Sequence, residues 1–345
     1  MPRCYNWLSR ATRTVAGTAV QWLTRRFVPS LHLPRMNKKE RVRAVLAGER
    51  PDRVPASFWF HFPEGSKHGT ASVQSHMDYL AETDVDFLKI FNEHPYQTDF
   101  EIKEPADWGR LRPAPLSSPF FQAMLEETRA IVEAVDGQCL TVTTVFGPFG
   151  EGNHATGGLV TDHYREDPAA VAHGLKVIAE SLAEFSLALL DCGTDGIYFS
   201  AQGGERDRFS EEQFLSDLKP CDLTVLDAIN GKAEFNLLHI CKDDVRLEHY
   251  TDYPANAVNW AAAKSNWSMA EGLAQFKRPV VGGLHDRGVI VDGSLDDIEK
   301  AVHAVLDDVG NHNFMVGADC TLPTDNSLAN IRQAVDATAS WPAPA

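Results

Sequence analysis

One alternation governs the chain from Arg53 onward. Short runs rich in β-branched and aromatic residues are each followed by a longer segment of helical period. Eight such runs read as strands: Val54–Phe62, Asp86–His94, Cys139–Gly147, Gly196–Gln202, Ala233–Cys241, Ala257–Ala262, Arg278–His285 and Asn313–Cys320. Helices are predicted between them. Pro119–Val135 sets Phe121, Met124, Leu125, Thr128, Ile131, Val132 and Val135 on one face. Pro168–Leu190 opens with Asp167 as N-cap and Pro168 at the first helical position. Phe209–Ile229, Ser294–Val309 and Thr324–Ala337 follow the same pattern. Eight strand–helix units over about 290 residues predict an α/β fold, a single (β/α)8 (TIM) barrel. A doubly wound sheet would carry a glycine-rich phosphate turn after its first strand. Here that strand runs into Trp59-Phe60-His61-Phe62-Pro63-Glu64-Gly65, with no GxGxxG. Thr98–Ser117 and Asp243–Ala255 are longer and irregular, and read as loops over the barrel mouth.

Residues 1–35 stand apart. They hold six Arg and no Lys, Asp or Glu. Met36 then opens a natural beginning: a short amphipathic helix and a Pro-punctuated entry into the first strand. The expected division is an Arg-rich N-terminal extension, 1–35, and a barrel, 36–345. The extension is either a targeting segment or the product of an upstream start codon. Removing its six Arg from the 32 basic residues leaves 26 against 48 acidic ones, a formal charge of −22 on the remainder. So acidic a body excludes nucleic acid and anionic membrane as partners. No apolar run approaches the roughly 20 residues of a membrane span. The six cysteines are scattered, without a CxxC pair, which indicates a reducing compartment. The expected location is cytoplasmic, or mitochondrial if residues 1–35 are a transit peptide.

Barrel chemistry belongs to the C-terminal ends of the strands. Those ends bear Trp59 and His61; Asn92, Glu93 and His94; Phe146; Gln202; His239 and Cys241; Trp260; His285 and Asp286; and Asp319 and Cys320. His239 and Cys241 lie two apart on a strand and so project from one face. A buried strand Cys ordinarily serves as a small hydrophobe, and a lone His as a hydrogen-bonded core residue. Position favours ligands here, because His239, Cys241 and Cys320 all fall on active-face strand ends. Two thiolates and one imidazole describe a catalytic zinc (Zn2+) with an open position. Glu93 and His94 form a candidate acid/base pair. Glu151 is a candidate base or extra ligand in the glycine-rich stretch Phe146–Gly152, which reads as a lid or a loop approaching a ligand. Trp59, His61, Phe146, Gln202 and His285 are candidate substrate-binding residues. Asp191 and Asp195 fall on the opposite, stability face. His154, His163, His249 and His312 read as solvated loop residues.

These segments also carry a resemblance. MNKKERVRAVLAGERPDRVPASFW, TDVDFLKIFNE, LLHIC and GADCTLPTDNSLANIRQAV are similar to the uroporphyrinogen decarboxylase (URO-D) superfamily, from Met36 to the C-terminus. The resemblance implies the same barrel and two chemistries. True decarboxylases of a porphyrinogen (tetrapyrrole) substrate are metal-free and grip its carboxylates with an Arg-Gln-Ala-Gly-Arg element. The corresponding region here, Phe58–Gly69, reads FWFHFPEGSKHG and has no arginine. They also tend to carry Gly-His-Gly near the last strand, where this chain has Gly317-Ala318-Asp319-Cys320. The cobalamin-dependent methyltransferase branch binds zinc through His-x-Cys and a distant Cys, which His239, Cys241 and Cys320 match. In that branch Gly commonly follows His-x-Cys; Lys242 stands there in this chain, followed by a longer acidic loop, Asp243–Tyr253. The resemblance therefore implies methyl transfer between a corrinoid (methylcobalamin), carried on a partner protein, and a small-molecule thiol. Alternatives are decarboxylation of a carboxylated tetrapyrrole, which would draw on cations such as Lys89, Arg206, Arg208 or Arg287, and non-catalytic tetrapyrrole or corrinoid binding.

Overall fold

The computed structural model describes residues 35–342. The extension predicted over 1–35 thus falls almost wholly outside the described residues.

Seven parallel strands form one sheet in chain order: β1 (Phe87–Ile90), β2 (Leu140–Phe146), β3 (Gly196–Ala201), β4 (Leu237–Ile240), β5 (Ala257–Trp260), β6 (Val280–Leu284) and β7 (Phe314–Ala318). All strand residues except Phe146 and Gly283 are buried. Parallel sheets are covered on both faces, so their strands read as near-continuous apolar runs rather than alternations. Parallel neighbours also need crossovers, and helices supply most of them. Helices α1 (Lys38–Leu46) and α2 (Gly69–Thr83) precede β1. Helix α3 (Pro119–Val135) joins β1 to β2, and α4 (Pro148–Ala155), α5 (Val160–Glu166) and α6 (Pro168–Asp191) lie between β2 and β3. Helices α7 (Glu211–Gln213) and α8 (Lys219–Ile229) precede β4, and α9 (Met269–Phe276) precedes β6. Helices α10 (Val289–Asp292) and α11 (Leu295–Val309) precede β7, and α12 (Leu328–Ser340) follows it. The β4–β5 crossover has only a 3-10 turn, Leu247–Tyr250, in keeping with the irregular loop expected there.

The first expected strand, Val54–Phe62, is not a continuous strand. Toward β7 it makes isolated parallel bridges, Ala56 to Val316 and Phe60 to Leu322. Ser57 N donates to Val316 O (3.0 Å), Val316 N to Pro55 O (2.8 Å) and Leu322 N to Trp59 O (2.9 Å). Toward β1 one backbone bond, from Asp86 N to Ala56 O (2.8 Å), is supplemented by side-chain bonds. Ala56 N donates to Asp86 Oδ2 (2.8 Å) and Ser57 Oγ to Phe87 O (2.7 Å). Pro55 has no N–H to give, which helps break the ladder. The segment nevertheless lies between β7 and β1, and the sheet is TIM-barrel-like. Its base is fixed by buried charge pairs, with Arg41 and Arg53 each 2.7 Å from the fully buried Asp86 carboxylate.

Two further expectations are corrected. The helix predicted over Phe209–Ile229 is interrupted by one π-helical turn, Phe214–Leu218, before Pro220, whose missing N–H cannot support a continuous ladder. The stretch Phe146–Gly152 is not a lid, because Pro148 starts α4 and residues 147–152 are buried. Its glycines serve packing: a Cβ on Gly152 would stand 3.0 Å from both Leu175 and Trp108. Among the described residues no helix is long and apolar enough to cross a membrane.

Candidate metal centre

The register of β4 and β5 builds the site. His239, 2% exposed, has Asn259 as its partner across the parallel pair. His239 Nδ1 lies 2.5 Å from Asn259 Oδ1. The Asn259 amide is committed on its other side, with Nδ2 donating to Val281 O (2.8 Å) and Ala318 O (2.9 Å). Its oxygen therefore faces the imidazole and accepts from Nδ1–H. That fixes the tautomer and leaves the Nε2 lone pair free. The Tyr198 ring stacks on His239 at 5.3 Å and 23°.

Cys241 follows β4 and extends its ladder by one bond, donating from N to Ala201 O (2.9 Å). It shares the His239 face. Cys320 arrives from β7, where Asp319 N donates to Leu284 O (2.8 Å) and the Asp319 carboxylate accepts from Ala262 N (3.2 Å) and Ala263 N (3.1 Å). Burial pushes that carboxyl up to about 6. Cys320 Sγ stands 3.5 Å from His239 Nε2, and the ligand atoms of His239, Cys241 and Cys320 all lie within 4.8 Å of one another. Tetrahedral zinc with ordinary bond lengths sets sulfur and nitrogen ligands about 3.6 Å apart. The donor set thus fits that metal in chemistry and spacing.

The two thiols lie close together, and that proximity holds Cys320 far below the usual thiol range and, together with burial, pushes Cys241 well above it. The other described cysteines behave differently: burial pushes Cys139 and Cys221 up to about 12 and raises Cys192. Those are inert core thiols, the ordinary fate of a buried cysteine.

Trp59 meets Tyr198 edge-on at 5.2 Å. Beside them Lys89, on β1 and 4% exposed, lies over the rings of Phe91 (4.3 Å) and Tyr198 (4.4 Å). Burial pulls its ammonium down to about 7, against the raising influence of Cys320, Glu93 and Cys241. Of the four cations considered for carboxylate gripping, Lys89 is the buried one. Arg206 binds Glu248 (2.9 Å), Arg208 binds Glu205 (3.0 Å) and Arg287 binds Asp286 (2.8 Å).

The remaining candidates are spread around the mouth. Glu93 does not pair with His94; it holds His61 Nδ1 at 2.5 Å, and burial of its carboxyl is outweighed by that bond, which keeps it low. His94 instead faces Glu127 of α3, 3.1 Å away. Consecutive residues beyond a strand end have taken different partners. Glu151 is engaged by Tyr96 N (3.3 Å) and His154 Nδ1 (3.0 Å), and this raises the His154 pKa. Phe146 meets the His154 ring edge-on at 4.9 Å. The amide of Gln202 packs against Gly150, and His285 Nδ1 accepts from Arg287 N (3.0 Å) in its own turn. His163 and His249 are not solvated. His163 is buried and accepts from Trp108 Nε1 (3.1 Å), and His249 stacks on Phe214 at 6.0 Å. Asn259 and Tyr198 were missed; an amide inside the apolar run Ala257-Val258-Asn259-Trp260 is the signal that would have found the first.

The family model for uroporphyrinogen decarboxylase (URO-D) matches residues 81–341, and the chain belongs to that family. No match is found among curated protein sequences. Among solved structures, a methyltransferase from Methanosarcina mazei is similar at 15% identity and TM-score 0.69, over 88% of this chain and 99% of that one. A B12-independent methionine synthase from Shewanella sp. W3-18-1, in complex with selenomethionine, is similar at 13% identity and TM-score 0.57, over 84% of this chain and 97% of that one. At such identities the likeness is one of fold.

Proposed function

We propose that this URO-D family enzyme transfers a methyl group between a corrinoid, free or on a partner protein, and a small thiol, with zinc held by His239, Cys241 and Cys320. One observation carries this: donor atoms from β4 and β7 converge, with the imidazole locked in the tautomer that offers Nε2. In such a set zinc supplies Lewis acidity that keeps a substrate thiol as thiolate at neutral pH. The protein's part is positional. Asn259 orients His239, the rings of Trp59 and Tyr198 wall off water, and Lys89 sets a positive charge beside the place where an anionic thiol would lie. The segment 54–62 serves as the eighth stave of a (β/α)8 barrel and brings Trp59 to this wall. Names of two fold neighbours, a methyltransferase and a methionine synthase, are in keeping with it. The ion-paired Arg206, Arg208 and Arg287 speak against gripping a multiply carboxylated porphyrinogen.

The test is turnover of full-length protein with methylcobalamin and a panel of small thiols. Methyl transfer that chelation abolishes and zinc restores is expected. Chelator-insensitive release of carbon dioxide from a porphyrinogen, with no methyl transfer, would overturn it.

A further inference from the structure

A second cluster lies outside the thiolate set. His68 caps the start of α2, His94 follows β1, and Glu127 projects from α3. Their ligand atoms all lie within 4.8 Å of one another. Glu127 is 7% exposed, and its ion-pair partners among the described residues are these two imidazoles, His94 Nε2 at 3.1 Å and His68 Nδ1 at 4.0 Å. The rings of His68 and His94 are 4.7 Å apart. Gly69 N donates to the same carboxylate at 2.6 Å. His94 Nε2 is fully shielded from solvent and makes no hydrogen bond, although the Glu127 carboxylate lies 3.1 Å away. A buried ring nitrogen without a partner is costly, and a buried carboxylate needs a positive partner.

One occupant answers both needs. We infer that His68, His94 and Glu127 bind a borderline divalent cation such as Zn2+, Fe2+ or Co2+, as a two-histidine, one-carboxylate site separate from His239, Cys241 and Cys320. Nitrogen and oxygen ligands on such an ion stand about 3.0–3.4 Å apart, which His94 and Glu127 already meet. His68, with its side chain 48% exposed, closes the remaining gap by a side-chain rotation and leaves open positions toward solvent. The Gly69 N–H holds in place Oε1, the carboxylate oxygen that faces both imidazoles, as outer hydrogen bonds orient ligands at metal sites. Occupancy would tie the post-β1 segment carrying Glu93 to α2 and α3.

The experiment uses full-length protein with Cys241→Ser and Cys320→Ser together, which removes the thiolate set, titrated with Co2+ after chelation. One equivalent is expected, with weak visible bands and no sulfur charge-transfer band. Adding His94→Ala or Glu127→Gln should weaken binding by about 10-fold or more. Where either of those fails to fold by circular dichroism, His68→Ala serves, since His68 makes no side-chain capping bond to α2. No Co2+ bound by the double-serine protein, or binding indifferent to all three further substitutions, overturns the inference. Neither result depends on whether the thiolate set holds zinc.

Discussion

Asn259 Oδ1 accepts a hydrogen bond from His239 Nδ1 at 2.5 Å, while its Nδ2 is tied to the carbonyls of Val281 and Ala318. One side chain on β5 thereby sets the tautomer of an imidazole on β4 from positions fixed by β6 and β7. Asn259→Ala frees that ring and strands two buried carbonyl acceptors. Metal affinity at the thiolate set should fall about 10–100-fold, as for other outer-shell changes. Competition with a chromogenic chelator measures it, and an unchanged affinity would show that Asn259 plays no such part.

Lys89 is the buried cation beside the thiols. Lys89→Met should lower kcat/KM for a negatively charged thiol by about 10–100-fold, the worth of a charge-assisted contact. A neutral thiol should be much less affected, and zinc content should not change. Equal losses for both thiols would remove the counter-ion role.

Lys242 has φ +84, in the left-handed region that favours glycine, and its side chain is exposed. The chain must turn sharply straight after Cys241, which is where the resembling methyltransferase branch commonly has Gly. Lys242→Gly should therefore stabilise the protein by about 1 kcal/mol, or about 2 °C in Tm. A lower Tm would mean that the lysine makes a contact outweighing the backbone strain.

Asp222 is 2% exposed, and burial pushes its carboxyl up to about 8 despite the hydroxyl donated by Tyr253 at 3.1 Å. Its ordinary value is 3.8, so between roughly pH 4 and pH 8 the folded protein holds a proton that the unfolded chain has lost. Stability from this group should then fall as pH rises through that window, with a slope approaching about 1.4 kcal/mol per pH unit. Asp222→Asn should flatten the difference in stability between pH 5 and pH 8, as read by urea unfolding at each pH. A variant with the wild-type pH dependence would contradict this origin.

Much of the centre was legible because parallel strands bury both faces. The LLHIC run could only be an inner strand, and His239 and Cys241 then had to share one face. Cys320 followed from its place at the end of β7. Other features depend on partners that periodicity does not encode. Val54–Phe62 looks like a strand in its apolar pattern, yet toward β1 a single backbone bond is completed by the Asp86 and Ser57 side chains rather than by a ladder. Gly150 and Gly152 read as loop punctuation, but they let α4 pack closely against Gln202, Leu175 and Trp108. Glu93 and His94 are neighbours in sequence and turn to different partners in space, His61 and Glu127. The orientation of the Asn259 amide is set by carbonyls from two other strands, so only the folded chain reveals it.

The most direct measurement is the zinc content of freshly purified full-length protein, wild type against Cys320→Ser and His239→Ala, by mass spectrometry. The expected result is the loss of one zinc equivalent in each variant, with the fold retained. Wild-type zinc content in both variants, or no zinc in the wild type even after loading, would contradict a metal centre built from His239, Cys241 and Cys320.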